Sequence, residues 1–149
     1  MKKILFRGKR IDNNEWVYGF YFESVADNEK HCYIKYETWD EGFVTYEVIP
    51  ETVGQFTGLN DMNGNKIFEG DIIQQFYEKS TPFDDDLIGY HLGTVTFRTG
   101  RGFGLNNPIS HDSIDGSWRK VNWFVNLSTY RCQVVGNVYD NPELLEDMK

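Results

Sequence analysis

Residues 16–23, WVYGFYFE, set Trp16, Tyr18, Phe20 and Phe22 on one side of a two-residue period and Val17, Gly19, Tyr21 and Glu23 on the other. This pattern predicts a β-strand with one heavily aromatic face. KILFR lies ahead of it, and the turn-rich Asp12-Asn13-Asn14 between them predicts that the first two strands form a hairpin. HCYIKY (31–36) and FVTYEVI (43–49) are two further β-branched and aromatic runs, divided by the polar, glycine-containing WDEG. A four-stranded N-terminal sheet is expected.

Pro50 ends that run, and PETVGQFTG reads as a tight turn followed by a short strand through Val53 and Phe56. In TGLNDMNGNKIFEGDII (57–73), Asn63-Gly64 signals a type I′ hairpin turn, Glu69-Gly70 marks a second reversal, and DIIQQFY returns to alternation. Asp61, Asn63 and Asn65 also occupy positions 1, 3 and 5 of a calcium-loop pattern. Positions 6 and 12 hold Lys66 and Ile72, where such a loop needs a glycine and a bidentate glutamate. Sheet punctuation is therefore expected there, not a metal site.

EKSTPFDDDLIGY (78–90) reads as an exposed polar excursion, with Asp84, Asp85 and Asp86 as a solvated charge run. LGTVTFRT (92–99) resumes the strand pattern with Val95 and Phe97 inward. Gly100, Gly102 and Gly104 follow as G-x-G-x-G with no helical pattern behind them, which favours a glycine-rich turn or bulge over a phosphate cradle. WRKVNWFVNLSTY (118–130) reads either as a short strand or as irregular cover, and CQVVGNVYD (132–140) as a strand. Asn141-Pro142-Glu143 then starts a short helix, with Asn141 as N-cap and Pro142 at the first helical position, docking on the sheet.

The 149 residues leave room for one domain or two small ones, and 40% hydrophobic with 16% aromatic content suits a packed sheet. No stretch approaches the roughly 18 apolar residues of a membrane span, and MKKILFRGKR lacks the apolar run of a signal peptide, so a cytoplasmic protein is expected. Cys32 and Cys132 lie far apart with no CxxC spacing and read as two small buried thiols. The net charge of −8 argues against a nucleic-acid partner. Lys2, Lys3, Arg7, Lys9 and Arg10 nonetheless make an acid-free first stretch, for which self-pairing with carboxylates of the same chain or a neighbouring subunit is the favoured reading.

Candidate chemistry is sparse. His31, His91 and His111 are isolated in sequence, and neither HExxH nor a Walker A motif occurs. Ser110-His111-Asp112-Ser113 holds the ingredients of a hydrolase triad, but triad members converge from separate segments, so their adjacency counts against one. No catalytic, cofactor-binding or metal-ligating residue is assigned.

Four stretches, FRGKRIDNNEWVYG, IPETVGQFTGLNDMNGNKIFEGDII, GTVTFRTGRGFGLN and VVGNVYDNPELL, in this order and at these separations, resemble the YopX family of bacteriophage and prophage proteins. The resemblance spans nearly the whole chain and departs at 78–92 and 106–130. It implies a phage or prophage origin, an intracellular setting and a mainly β fold, and it carries over no catalytic residue. Residues 1–52 would form the N-terminal antiparallel β region. Residues 53–149 would form an SH3-like barrel with polar insertions near 78–92 and 106–130 and a short C-terminal helix. The expected function is a non-catalytic binding or homo-oligomeric assembly module, or one that docks onto a host protein. The alternatives are a nucleic-acid-associated protein using its basic N-terminal strand and a small metal-dependent enzyme.

Overall fold

The computed structural model describes residues 4–78 and 87–146, and antiparallel strands dominate them. Lys2, Lys3 and Asp84 to Asp86 lie outside the described residues. The chain divides into two compact units, Met1–Phe56 and Thr57–Lys149.

The first unit contains β1 (Phe6–Lys9), β2 (Trp16–Ala26), β3 (Glu29–Thr38), β4 (Gly42–Val48) and the start of β5 (Gly54–Asn60), in the order β4-β3-β2-β1-β5. The four strands expected from alternation are these first four. β2 outruns its expected end and reverses through Asp27-Asn28, whose φ angles of 54° and 62° lie between the paired Ala26 and Glu29. Two central residues at positive φ are what a type I′ hairpin requires. The inner face buries Val17, Cys32, Ile34 and Val48, with Phe6, Tyr21, Tyr36, Tyr46 and Val53 packed around them. Arg10 bridges to Val48, and the Ile49 N–H donates to the Lys9 carbonyl at 2.8 Å, which ties the end of β1 to the end of β4 and curls the sheet. Pro50–Thr52 is a 3-10 turn pinned by the Thr52 hydroxyl, which donates to the Ile49 carbonyl at 2.6 Å and accepts from the Lys9 N–H at 2.9 Å.

The second unit takes the end of β5 and adds β6 (Lys66–Phe68), β7 (Asp71–Glu78), β8 (Leu87–Arg98) and β9 (Gly102–Asn106). It continues through β10 (Ile109–Asp112), β11 (Trp118–Lys120), β12 (Phe124–Asn126), β13 (Cys132–Asn137) and the short helix α1 (Glu143–Glu146). Its sheet runs β11-β10-β8-β7-β13, with β9 joining β8 to β12. β8 changes partner along its length, since residues 89–92 border β10 and 95–98 border β9. That switch curls the sheet into a half-barrel around Ile67, Ile73, Val95, Leu105 and Cys132. No helix among the described residues is long and apolar enough to cross a membrane.

Several local expectations change. Residues 87–91 belong to β8, not to the polar excursion, and the ambiguous 118–130 stretch supplies two three-residue strands, β11 and β12. Val95 is buried as expected, but Phe97 is 58% exposed because it lies beyond the core near the hairpin end, edge-on to Phe103 at 5.2 Å. Asn141 does not cap the helix by the expected bond. Its Oδ1 accepts from the Asn137 N–H at 3.2 Å, turning the cap back on the preceding loop. Both cysteines are buried free thiols.

The Asp61–Asn65 turn is held by its own first side chain. Only Gly64, at φ 84°, has positive φ there, so the turn is not type I′. The Asp61 carboxylate organises it instead. Oδ1 accepts the N–H groups of Asn63 and Asn65, both at 2.9 Å, and Oδ2 accepts the Val134 N–H of β13 at 2.9 Å. The Met62 N–H also donates to the Cys132 carbonyl at 2.9 Å. A carboxylate surrounded by donors is a turn anchor. Burial pushes its pKa up, but the Val134, Asn65 and Asn63 N–H groups outweigh burial and hold it below the ordinary carboxylate range.

Two outcomes follow from this packing. Asp61→Asn is expected to cost about 2 kcal/mol in urea unfolding at neutral pH, because three part-buried N–H donors lose a charged acceptor. The folded carboxyl titrates below its unfolded value of about 3.9, so this stabilisation is full above that pH and fades as pH falls through the folded pKa. The variant should show a correspondingly shallower acid-side loss. Burial, with Asp61 nearby, pushes the Cys132 thiol up to about 11. Iodoacetamide at pH 8, read by peptide mass, should therefore label Cys132 only slowly until denaturant is added.

Candidate functional site

Alternation on β2 has a consequence for which residues meet solvent. Val17 and Gly19 point inward and are buried, so Tyr18, Phe20 and Phe22 point outward, at 46%, 61% and 42% exposure. Neighbouring strands continue the same face. Phe20 lies opposite Lys35, and Lys35 lies opposite Thr45; Phe22 lies opposite Tyr33, and Tyr33 lies opposite Glu47. Phe22 and Tyr33 stack at 5.0 Å, and the Lys35 ammonium sits 4.8 Å over the ring of Phe43, itself 58% exposed. At the β1 side, the Arg7 guanidinium lies 4.6 Å over Trp16 and the Lys9 ammonium 5.5 Å over the same ring. The result is an open ring-bearing sheet face with interleaved cations. It suits flat apolar or cationic contacts. Arg7, Lys9 and Arg10, read as a basic stretch, serve here as covers for Trp16 and Tyr46, and Arg10 also pairs with Asp12.

Within the second unit His91 and His111 do not converge. His31 lies in the first unit, with Nδ1 3.1 Å from Glu47 Oε1. His91 on β8 lies opposite Ser110 on β10, whereas His111 lies opposite Tyr90, so strand alternation puts the two rings on opposite faces. His111 stacks on Tyr90 at 4.9 Å and tilts against Trp118 at 4.5 Å. His91 lies 4.8 Å from the Tyr77 ring. Burial first, and Arg119 second, lower its pKa, which keeps it neutral at pH 7. Ser110 is buried, and its Oγ lies 2.8 Å from the Tyr77 hydroxyl, which also donates to the His111 carbonyl at 3.3 Å. Among the described residues the hydrogen-bond partner of that serine hydroxyl is a tyrosine.

Beside this pair is a cleft of about 270 Å³ lined by Tyr77, Ser110, Asp112, Asp115, Ser117 and Arg119. Its carboxylates shape the β10–β11 turn: Asp112 Oδ1 accepts the Ile114 N–H at 2.7 Å, and Asp115 Oδ1 accepts the Ser117 N–H at 2.8 Å. Among the described residues no cluster of three or more His, Cys, Asp or Glu side chains is placed to hold a metal ion. Tyr77 and Arg119 were not picked out in the sequence, because only the β7-β8-β10-β11 register brings residues 77, 110 and 119 together.

Protein EF1440 from Enterococcus faecalis, known from a crystal structure, is 20% identical, with 97% of this chain and 99% of that chain covered at a TM-score of 0.42. No curated protein matches. The model of the family described as YopX protein matches residues 5–146, which takes in every motif of the resemblance, and the chain therefore belongs to the YopX family.

Proposed function

We propose that this protein is a non-catalytic binding module that associates with a second copy of itself through the outer face of β2, β3 and β4. The observation that carries this reading is the row of Tyr18, Phe20 and Phe22, extended by Phe43 and left exposed. Rings of this size have roughly 200 Å² of surface each, so the four leave on the order of 400 Å² of aromatic surface in water. Patches of that size on monomers are commonly functional.

Charge favours a second copy as the occupant. A two-fold interface must be self-complementary, and this face carries Lys35 and Glu47 on neighbouring strands, so each copy offers a cation and an anion. The ring area supplied by both copies, with the stems of Trp16, Tyr33 and Lys35 added, approaches the roughly 1,000 Å² of a specific interface. The Tyr77–Ser110 hydrogen bond supports the non-catalytic part, since it engages the hydroxyl of Ser110, a buried residue of the polar cleft. In this reading the module works in the cytoplasm of a bacterium carrying the phage or prophage.

Light scattering at about 100 μM should give a dimer mass, and Phe20→Ser with Phe22→Ser should give a monomer whose thermal midpoint stays within a few degrees of the parent, because exposed rings add little to the fold. A parent chain that stays monomeric at both low and high salt overturns the self-association.

A further inference from the structure

A sheet edge is a row of peptide groups without partners, and folded chains blunt it with short strands, bulges, prolines or cationic side chains. The other strands that end a sheet here follow that rule. β6, β11 and β12 are three residues each, and β13 carries a bulge between Val134 and Gly136. β4, at the end of the first sheet, has none of these devices. Its seven residues, GFVTYEV, contain no Pro, Lys or Arg, and their register with β3 runs unbroken from Gly42 to Val48.

Two hydrogen bonds fix which way the free groups point. The Glu47 carbonyl accepts from the Ile11 N–H at 3.2 Å, and the Ile49 N–H donates to the Lys9 carbonyl, so both residues turn their peptide groups away from β3. Peptide groups alternate sides along a strand, which turns those of Phe43 and Thr45 the same way. Arg10 and Ile11 close this side of the strand from Glu47 to Ile49. From Gly42 to Tyr46 no strand among the described residues pairs with it.

Side chains along the opening select what fits there. Val44 and Tyr46 are half-buried on the inner side, and Phe43 and Thr45 are exposed on the outer one. An added strand with β-branched residues at alternate positions covers the first pair and lies level with the second. Charge then decides between a second copy and another chain. Glu37 lies opposite Phe43, and Asp40 and Glu41 form the β3–β4 turn; none of the three makes an ion pair among the described residues. Two cations flank the opening, Lys35 over the Phe43 ring and Arg10 over Tyr46, where it also pairs with Asp12. Glu47, 3.1 Å from His31, adds a fourth acid, so anions outnumber cations. Two copies joined antiparallel about Val44 would set Glu41 of each opposite Glu47 of the other. Like charges directly opposite destabilise such a pairing.

We propose that the open edge of β4 takes up an extended, basic segment of another protein as an added strand. Phe43 and Thr45 exchange main-chain hydrogen bonds with the segment, and its β-branched side chains pack beside Val44 and Tyr46. Lys or Arg side chains at its ends meet Glu37, Asp40 and Glu41. The site needs none of Tyr18, Phe20 and Phe22, so it goes beyond the self-association of the ring face.

The test is fluorescence anisotropy of the full chain with the labelled peptide KKVTVTVKK and its acidic counterpart EEVTVTVEE, with amide hydrogen exchange as a second readout. KKVTVTVKK should bind with an affinity that falls as salt rises, and EEVTVTVEE should bind at least about tenfold more weakly. The bound peptide should slow exchange at the Phe43 and Thr45 amides. Thr45→Pro removes one of these N–H groups at an edge position that tolerates proline, and it should weaken binding at least about tenfold. Circular dichroism of the variant confirms that the sheet persists. Glu37→Gln with Asp40→Asn and Glu41→Gln, which leaves the backbone intact, should weaken binding several-fold and flatten the salt dependence. Phe20→Ser with Phe22→Ser should bind the peptide as the parent does. No binding of KKVTVTVKK at low salt overturns the proposal, as does equal binding of EEVTVTVEE or undiminished binding by Thr45→Pro. So does a dimer that Thr45→Pro dissociates, because a second copy would then hold the edge. Peptide binding by the Phe20→Ser, Phe22→Ser chain is read without reference to dimer mass, so failure here leaves the self-association reading standing, and the reverse also holds.

Discussion

One carboxylate ties the second unit together. Asp61 ends β5, and its two oxygens take N–H groups from the turn that follows and from Val134, 73 residues further along the chain. The local bonds fix the conformation of the turn, and the distant one fixes where β13 lies relative to it. β13 in turn pairs with β7, so the placement of one anion reaches the middle of the half-barrel. A charged acceptor is effective here because it takes three part-buried N–H donors at once, and the field of these N–H dipoles keeps the carboxyl ionised despite its burial. Asp71 repeats the device at the next reversal, where its Oδ2 accepts the Phe68 N–H at 2.8 Å.

Much of this architecture was legible because sheets with one buried face write a two-residue period into the chain. β2, β3, β4, β7 and β13 announce themselves in that way. What escaped notice depends on partners rather than on period. The Asp27-Asn28 turn is built from two residues able to adopt positive φ, but without a glycine it lacks the stronger signal that Asn63-Gly64 displays. The chain used the quieter pair for the type I′ turn. At Asn63-Gly64 the Asp61 side chain competes for the backbone N–H groups, and a side-chain anchor sets a different geometry. β11 and β12 are three residues each, too short for any period to register.

The exposed rings and the basic stretches were legible to different degrees. The aromatic stripe of β2 was plain in the sequence, although which side of the strand it occupied was not. The basic stretch of the first ten residues drew attention that its structure partly disperses, since Arg7, Lys9 and Arg10 lie over Trp16 and Tyr46. The acid-free stretches of the second unit, residues 87–111 and 116–139, are hard to see in the sequence because Asp112 and Asp115 divide them and their arginines are spread over 34 positions, from 98 to 131. A net charge averages over such segregation, whereas a ligand meets the local field.

The outward rings of β2 pose a question that packing answers only in part. Sliding the strand by one residue would bury Trp16, Tyr18, Phe20 and Phe22, and each buried ring of that size is worth roughly 1.5–3 kcal/mol. The interior has no room for them. On the inner side of β1, an added Cβ at Gly8 would already stand 2.9 Å from Val48, and the space beside it holds Val17, Cys32 and Ile34 at nearly complete burial. The thinness of this interior therefore fixes the register of β2. It does not require that the outward positions be aromatic. An antiparallel strand with one solvated face is equally well served by Thr, Lys or Ser at those positions, at lower risk of aggregation. Folding thus selects the small inner residues, and the choice of Tyr18, Phe20 and Phe22 on the other side is the part of this strand that folding leaves unexplained.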